Sequence, residues 1–432
     1  MGSMSGIEGP RSGGRSDADQ ALDNALVDPA VHADEARIHQ IFARLRAHDP
    51  VRWTEPEGYR PFWSLTRHAD IMAASRANDV LVNSRRLNLM SRAQEAEAKA
   101  ASGKYSRMYR TIAHMDNPEH RTYRGVTRDW FMGRAVNALD EQVSAIANHF
   151  IDRMAAREGE VFDFAKEIAN LYPLRVIMSI LGVPAADEPF MLRLTQEFFG
   201  AQDPDLKNDA AEGRSFDALP EIFDYFTRLA AECRETPRDD LATVIARARI
   251  DGTPMGDLET ASYYSVVATA GHDTTAASTA GGMLVLMQQP EMLDRLRSDP
   301  DMLPRMVEEM IRWVSPVKHF LRTAVQDYQI GDITVRKGES IAMFYPSANR
   351  DGDVFPDPFR FLPDRAPNRH LGFGFGGHMC LGILLARLEM TVFFREFIKR
   401  VDRIELAGDV RRIHANLVGG FKQMPVVCRI RN

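Results

Sequence analysis

The stretch Phe373-Gly374-Phe375-Gly376-Gly377-His378-Met379-Cys380-Leu381-Gly382 decides how this sequence is interpreted. Four of these ten residues are glycine, which suits a backbone that must turn sharply or approach a flat ligand closely. Cys380 is predicted at the start of the next helix, where the helix dipole and free backbone N–H groups stabilise a thiolate. A buried structural cysteine after a glycine-rich turn is the alternative, and for an isolated loop of this kind it is the commoner case.

The bulk composition is that of an ordinary globular protein. The chain has 432 residues, of which 44% are hydrophobic and 26% charged, with a formal net charge of -6. This charge gives no global basic field for nucleic acid, and no run of 18 or more apolar residues predicts a membrane-spanning helix. We expect residues 1–20 to be a disordered leader, native or added before a second start at Met4, and residues 21–432 to form one domain.

The cysteine content argues for a reducing compartment. Cys233, Cys380 and Cys428 form no CxxC pair and no regular framework. This pattern disfavours a disulfide scaffold and a structural zinc site. We therefore expect a cytoplasmic protein.

Helical periodicity dominates the chain, and β patterns are a minor, mainly late component. One helix is predicted over Asp257–Gln288, with Asp257 as its N-cap and Pro290 beyond its end. It would be roughly 45 Å long, enough to cross the whole protein. Further elements are predicted by periodicity and turn residues: a hairpin over 52–65, a helix over 302–314, strands over 328–345, a helix over 381–400 and small strands over 403–430. The fold class is therefore mainly α with a minor β subdomain.

The segment Ala270-Gly271-His272-Asp273-Thr274-Thr275 breaks helix-forming rules in the middle of the long helix. Glycine in a helix interior costs about 1 kcal/mol relative to alanine, and Asp and Thr side chains compete for backbone hydrogen bonds. Such a local violation suggests a functional groove, in which Gly271 lets a small ligand approach. A small-residue helix-packing patch is an equally good interpretation of these residues alone.

Glu309-Met310-Ile311-Arg312 places opposite charges at i and i+3 on one helix face. Taken alone the pattern is weak, since such pairs are common on solvated helices. The pattern is informative because it lies between the long helix and the cysteine loop.

Together these stretches resemble the cytochrome P450 family. Phe373, Gly376, His378, Cys380 and Gly382 match every defining position of its haem-binding loop. The resemblance implies the P450 fold, with a long central helix over haem b and Cys380 as the thiolate ligand of the iron. A thiolate in this position pushes electron density that favours O–O cleavage. Further haem contacts are implied at Phe373, Gly374 and Gly382.

The resemblance also assigns roles in oxygen chemistry and in structure. Asp273 and Thr274 match an acid–alcohol pair, with Thr274 hydrogen-bonding iron-bound dioxygen and Asp273 relaying protons. The haem face would be flanked by Ala270 and Gly271. Three residues are implied to be structural and to hold the haem loop: Glu309, Arg312 and Arg365.

Four basic residues are implied as partners of the two haem propionates: His120, Arg124, Arg322 and His378. His120 and Arg124 lie four apart and share a helix face, and His370 is a weaker candidate. Any one of them alone is more often a surface charge. Together they are about what a buried dianion requires.

The resemblance also implies residues that line a substrate pocket. Candidate walls, for each of which plain core packing is at least as probable, are Phe198, Val267, Ala270, Val317, Phe320 and Val418. A polar, Ala-rich loop is expected from Met90 to Tyr109, where the family builds a pocket lid. The likeness is greatest to bacterial enzymes that hydroxylate terpenoid alcohols, and the stretches carrying it are 172–176, 194–200, 345–351 and 367–374.

The resemblance implies a monooxygenase that inserts one oxygen atom from O2, its co-substrate, into a C–H bond of a terpenoid or aromatic hydrocarbon. Electrons would come from a 2Fe–2S ferredoxin and its flavin ferredoxin reductase, with NAD(P)H used only indirectly. A basic patch for the ferredoxin is predicted at Arg128, Arg134, Arg369 and Arg387, although solvated arginines are as good an interpretation. We expect a monomer that binds neither nucleic acid nor membrane.

Three alternatives stay open at this point. A peroxygenase would use hydrogen peroxide directly, although the Asp273-Thr274 pair argues against it. A haem-thiolate sensor or binding protein would show no turnover. A chain without haem would show no Soret band at all.

Overall fold

The structure is a computed structural model that describes residues 16–105, 111–199, 202–205 and 219–431, without the side chains of 99–105, 196–199 and 219. Helices predominate in this part of the chain, in agreement with the predicted class. Their bounds are α1 Asp17–Ala25, α2 Pro29–Ala33, α3 Glu35–His48, α4 His68–Arg76, α5 Arg92–Tyr105, α6 Glu119–Arg128, α7 Gly133–Asn137, α8 Asp140–Ala155, α9 Leu171–Ile180, α10 Glu188–Phe199, α11 Leu219–Glu235, α12 Leu241–Ala246, α13 Asp257–Gln288, α14 Pro290–Ser298, α15 Leu303–Val314, α16 Tyr345–Ala348 and α17 Ile383–Arg400.

The strands form small sheets at the side of this helical body. Their bounds are β1 Val51–Thr54, β2 Phe62–Leu65, β3 Leu81–Val82, β4 Phe162–Asp163, β5 Arg249–Ile250, β6 Thr253–Pro254, β7 His319–Ala324, β8 Tyr328–Ile330, β9 Ile333–Val335, β10 Ser340–Phe344, β11 Val401–Leu406, β12 Arg411–Arg412, β13 Phe421–Gln423 and β14 Pro425–Ile430. The largest sheet has the order β1-β2-β10-β7-β3, and β2 pairs with β10 in parallel. The predicted hairpin of β1 and β2 is confirmed, with Gly58 at φ +74 in its turn.

The long helix α13 is the centre of the fold. Its 32 residues span roughly 48 Å at 1.5 Å per residue. It packs against α9, α11, α15 and α17, and most of its residues are buried. A helix enclosed in this way is apolar around most of its circumference, which leaves the polar segment at its middle in need of a local explanation.

The N-cap predicted for α13 is wrong by one residue. Gly256 occupies the cap position with extended backbone and makes no side-chain cap hydrogen bond. Asp257 is the first helical residue, where its charge still opposes the positive end of the helix dipole. It also forms an ion pair of 2.6 Å with Arg234.

Two predictions about irregular segments are also wrong. The expected leader ends earlier than residue 20, because α1 begins at Asp17 with the Ser16 side chain accepting the Asp19 N–H. The expected loop from Met90 to Tyr109 contains α5 over Arg92–Tyr105, and its alanines are strong helix formers. Residues 1–15 and 106–109 of these predictions lie outside the described residues.

None of the helices in the described part of the chain is both long enough and apolar enough to cross a membrane.

Candidate functional site

An internal cavity lies between the middle of α13 and the loop that carries Cys380. Its volume is about 260 Å³, near the lower end of the range of pockets that enclose one small ligand. The predicted site residues that line it are His120, Arg124, Val267, Ala270, Gly271, Thr274, Val317, Phe320, Arg322, Phe373, Gly374, His378, Cys380 and Gly382.

The glycines of the cysteine loop meet two different needs. Gly374 and Gly376 have φ of +68 and +76, a region that side chains other than hydrogen disfavour. A Cβ on Gly376 would collide with the backbone carbonyl of Ser75 in α4, whereas one on Gly382 would meet open space. The predicted sharp turns are confirmed, but the close approach at Gly376 is to protein.

Cys380 lines the cavity. Its N–H donates to the Phe373 carbonyl at 2.9 Å, and the Gly382 amide donates toward the sulfur. Burial nevertheless raises the pKa of the thiol, against the opposing effects of the Gly382 amide and the Arg124 charge. A thiolate here therefore needs a bound cation, and a coordinating metal deprotonates a thiol outright.

The helix after Cys380 begins later than the sequence indicates. α17 starts at Ile383, with Gly382 as its N-cap residue, so the predicted start at Leu381 is two residues early. Cys380 thus lies before the first turn of the helix. This position explains why a single amide N–H, and not a full helix end, faces the sulfur.

Four basic side chains converge on the same cavity, as predicted. The rings of His120 and His378 stack with centroids 3.9 Å apart. Arg124 donates from Nη2 to the Met379 carbonyl at 2.6 Å. Arg322 is only 2% exposed, and its Nε is buried without a hydrogen-bond partner among the described residues.

This cluster is short of negative charge. Burial lowers the pKa of His120 to about 4, with the charge of Arg124 acting in the same direction. Burial lowers the pKa of Arg322 as well. Cations held out of water need an anionic partner, so the unpartnered Nε of Arg322 fits a ligand that brings carboxylates. Together with the sulfur of Cys380, this donor set fits a haem with two propionates.

His370, the weaker propionate candidate, does not belong to this cluster. Its Nε2 lies 3.2 Å from Glu308 Oε2, and Arg387 binds the same carboxylate at 2.6 Å. Burial opposes these two partners, but they prevail and lower the pKa of Glu308 to about 2. His370 therefore stabilises an ion pair next to α15.

On the α13 side, Ala270, Gly271 and Thr274 face the cavity. Thr274 donates from Oγ1 to the Ala270 carbonyl at 3.0 Å, which leaves its oxygen lone pairs available to a ligand. A Cβ on Gly271 would lie 3.0 Å from Cγ1 of Ile177. The absence of a side chain at Gly271 thus allows close packing with α9. The sequence analysis had explained this glycine by the approach of a ligand.

Asp273 is not where the acid–alcohol pattern predicts it. It is absent from the cavity lining, and its Oδ2 lies 3.5 Å from Nδ1 of His272. The same oxygen is buried and has no hydrogen-bond partner in the described part of the chain. The structure brings Thr274 and Cys380 to one cavity but turns Asp273 toward its neighbour in the chain.

The predicted structural triad is assembled behind the cysteine loop. Nε and Nη2 of Arg312 each donate to Glu309 at 2.7 Å, and both side chains are fully buried. Arg365 Nε lies 3.5 Å from Glu309. Sequence reasoning missed Asn368, whose amide donates to Glu309 at 3.0 Å. These contacts fix the segment that precedes the loop.

The substrate side of the cavity is apolar. Val267, Val317 and Phe320 line it, whereas Val418 lies behind, in an isolated β-bridge with Val317. The side chain of Phe198 lies outside the described residues. Sequence reasoning missed lining residues from loops and helices without a motif, namely Asn83, Leu87, Ile112, Ala113, Ile177 and Val266.

Three of the four arginines of the predicted basic patch are exposed, and the fourth is held in an ion pair. Arg128, Arg134 and Arg369 are exposed, but Arg387 is engaged by Glu308 through Nε at 2.6 Å and Nη2 at 2.7 Å. Arg76, which sequence reasoning did not select, is also exposed and lies 4.8 Å above the Phe375 ring of the cysteine loop.

Comparisons with known proteins agree with this geometry. A family model described as cytochrome P450 matches residues 67–410. The chain is 39% identical to cytochrome P450-terp of a Pseudomonas species, over 93% of this chain and 96% of that protein. It is 31% identical to linalool 8-monooxygenase of Pseudomonas putida, over 90% and 95% of the two chains. The crystal structure of CYP108D1 from Novosphingobium aromaticivorans superposes with a TM-score of 0.89 at 41% identity, covering 95% of this chain and 99% of that one.

Proposed function

The chain belongs to the cytochrome P450 family of haem monooxygenases, and from this premise we propose that it inserts one oxygen atom of O2 into a C–H bond of a small terpenoid. One observation carries the proposal: Cys380, Thr274 and an apolar wall face a single cavity. Relatives named as P450-terp and as a linalool 8-monooxygenase support the substrate class. An aromatic hydrocarbon of similar size is the second candidate.

Haem b would be held by Cys380 at the iron and by the basic cluster at the propionates. When bound, haem supplies the activation of O2, and the protein supplies position, protons and a dry pocket. His120, Arg124, Arg322 and His378 are the carboxylate partners. A Cβ added at Gly374 or at Gly382 would meet no atom within 4 Å, so both positions leave room for a flat ligand beside Cys380.

Thr274 is the residue that we assign to proton handling in the cavity. Its hydroxyl is oriented by the Ala270 carbonyl and can accept or pass on one proton at Oγ1. Val267, Val317 and Phe320 surround the same space with apolar surface. They would orient a hydrocarbon and exclude water, which protects the reaction from side products.

Electrons would come from a 2Fe–2S ferredoxin and its flavin reductase, with NAD(P)H used only indirectly. The exposed guanidinium groups of Arg128, Arg134 and Arg369 suit an acidic partner, because complementary charge mainly speeds encounter. Arg387 contributes less than the sequence indicates, since Glu308 neutralises it. Three free cysteines fit the proposed cytoplasmic location, and we propose a monomer.

A spin-state screen of holoenzyme tests the substrate class. Terpenoid alcohols, alkylbenzenes and fused aromatics are titrated in turn, and products are identified after turnover with ferredoxin, reductase and NADH. We expect the largest spin-state shift and a hydroxylated product with a terpenoid alcohol. Preference for a fused aromatic would contradict the terpenoid assignment. Equal turnover with peroxide alone would replace the monooxygenase by a peroxygenase.

A further inference from the structure

His272 stands in the middle of α13 and has no role in the function proposed above. It is completely buried. Its ring reaches two other segments: Nε2 lies 2.7 Å from the Asn170 carbonyl at the start of α9, and Nδ1 lies 3.0 Å from the Thr195 hydroxyl of α10. Nδ1 also faces Oδ2 of Asp273 at 3.5 Å. A buried imidazole with three polar neighbours raises the question of how many protons it carries.

The hydrogen-bond partners answer that question. A carbonyl oxygen only accepts, so Nε2 must carry hydrogen. The Thr195 hydroxyl donates its one hydrogen to the Leu192 carbonyl at 3.1 Å, so toward His272 it presents lone pairs. Nδ1 therefore faces two acceptors, the Thr195 oxygen and the Asp273 carboxylate. Hydrogen on both nitrogens makes the ring an imidazolium.

The neutral ring is the less favourable arrangement. It would require the Thr195 hydroxyl to leave the Leu192 carbonyl and donate to Nδ1. The lone pair of Nδ1 would then also face the Asp273 carboxylate oxygen. Burial lowers the pKa of His272, but the Asp273 charge and the Asn170 carbonyl outweigh it, and the net shift is upward. A buried charge needs a counter-ion, and Asp273 is the charged group in contact with this ring.

Asp273 shows the other half of the pair. Its Oδ2 is buried and makes no hydrogen bond to any residue that the structure describes, yet the side chain is 19% exposed. A buried carboxylate oxygen without a hydrogen-bond donor is stabilised by a nearby positive charge. The ion pair with His272 thus accounts both for the orphan oxygen and for the absence of Asp273 from the cavity lining.

We propose that His272 is a positioning residue that is doubly protonated in the resting enzyme and holds Asp273 turned away from the cavity as its counter-ion. This inference rests on the proposed function, because it explains how the acid of the acid–alcohol pair is kept in reserve. The pair would come apart by one proton transfer. The Nδ1–H bond breaks, an Oδ2–H bond forms, and both groups become neutral.

Separation of the pair has a structural consequence. Neutral Asp273 is no longer tied to the ring and can turn toward the Thr274 side of α13 with its proton. The Thr195 hydroxyl can then rotate and donate to Nδ1, which joins α10 to the protonation state of α13. Once Asp273 has given up its proton to the cavity, a proton from solvent reaches the carboxylate through its exposed edge and passes on to Nδ1, which restores the pair. His272 itself has no contact with solvent, so its charge is set through Asp273.

Histidine nitrogen NMR on the diamagnetic ferrous carbonyl holoenzyme measures the charge directly. The His272→Gln variant identifies the resonances of His272, and the spectra are recorded at pH 7.5. We expect hydrogen on both ring nitrogens. One unprotonated nitrogen would overturn the proposal. This readout needs no turnover, so it stays valid even if the enzyme oxidises no terpenoid.

Two carboxylate variants identify the counter-ion in the same spectra. Asp273→Asn removes the charge beside the ring, and His272 is expected to become neutral with hydrogen on Nε2 only. Asp257→Asn, at the exposed start of the same helix, is the matched control and should leave His272 doubly protonated. An imidazolium that survives in Asp273→Asn would show that the pair is not its cause and would overturn the proposal.

Turnover provides an independent readout of positioning. In His272→Gln we expect the share of electrons lost as peroxide to rise several-fold and the solvent isotope effect on product formation to change, with haem loading unchanged. Thr195→Val should move both quantities in the same direction but less, whereas Thr195→Ser should behave like the wild type. If His272→Gln keeps the electron yield and isotope effect of the wild type, His272 does not position the acid.

Discussion

At the scale of single residues, the surroundings of a side chain determine whether it reaches the cavity more than its residue type does. Cys380 and Thr274 reach the cavity because backbone geometry places them there. Asp273 is next to Thr274 in the sequence but does not line the cavity with it, because its partner His272 is anchored by the Asn170 carbonyl and by Thr195. Those anchors lie far away in the chain, so no local pattern could have predicted the rotation of Asp273.

Thr274 offers the most selective residue-scale test. Thr274→Ala should keep haem and substrate binding, because the side chain contributes a hydroxyl to the cavity and no ion pair. Loss of a group that handles protons should lower product per electron on the order of tenfold or more, with the electrons recovered as peroxide. Product and peroxide are measured per NADH consumed. Thr274→Ser, which keeps the hydroxyl, is the control, and full coupling in Thr274→Ala would remove the assigned role.

At the scale of elements, the segment before the cysteine loop is fixed by one carboxylate of α15. Glu309 accepts from Arg312, from Asn368 and from the Leu362 N–H. The i, i+3 spacing of Glu309 and Arg312 could be seen in the sequence. Its partners in the irregular stretch 355–370 could not, because loops have no periodicity from which contacts can be inferred.

Removal of that carboxylate should disorder the loop that it holds. In Glu309→Ala the fully buried Arg312 keeps its charge without a counter-ion, at a cost of about 3–5 kcal/mol. We expect a lower denaturation midpoint and purified protein with less haem per chain, measured by the haem-to-protein absorbance ratio. Asp364→Asn removes an exposed ion pair with Arg295 and should change neither quantity measurably. A normal haem load in Glu309→Ala would contradict the structural role.

At the scale of the whole molecule, the sequence predicted the helical body better than the way in which distant segments meet. The length of α13 and the late strands were predicted from periodicity. The parallel pairing of β2 with β10 joins residues near 64 and 342, and nothing local indicates such a partner. Helix α5 was missed because its polar, Ala-rich sequence has no strong apolar face, although its alanines favour a helix.

His319 joins three such distant segments and makes stability depend on pH. Its Nε2 accepts the Leu89 N–H at 2.9 Å, and its Nδ1 donates to the Asn416 carbonyl at 2.8 Å. Burial lowers the pKa of His319 to about 3. The pKa of histidine in the unfolded chain is about 6.5. Below that pH the unfolded chain therefore binds a proton at this residue, and the folded chain does not.

The stability that His319 contributes is thus present above pH 6.5 and is lost as the pH falls toward 3. Between pH 7.5 and 5.5 the loss is about 1.4 kcal/mol for one such group. Urea denaturation at both pH values should show that the free energy of unfolding decreases less for His319→Gln than for the wild type as the pH falls. His149→Gln serves as the control, since His149 packs at the edge of Phe150 and lies on the surface side of α8. An unchanged pH dependence in His319→Gln would contradict the neutral buried ring.

The absorption spectrum of the reduced, carbon monoxide-bound protein tests the central claim most directly, because it reports whether a thiolate ligates the iron. Wild-type holoenzyme should show the Soret band of a haem with thiolate ligation, and Cys380→Ser should lose that band while the fold persists by circular dichroism. A wild-type Soret band at the usual haem–histidine position, or no Soret band at all, would contradict the assignment of Cys380 as the ligand of the iron.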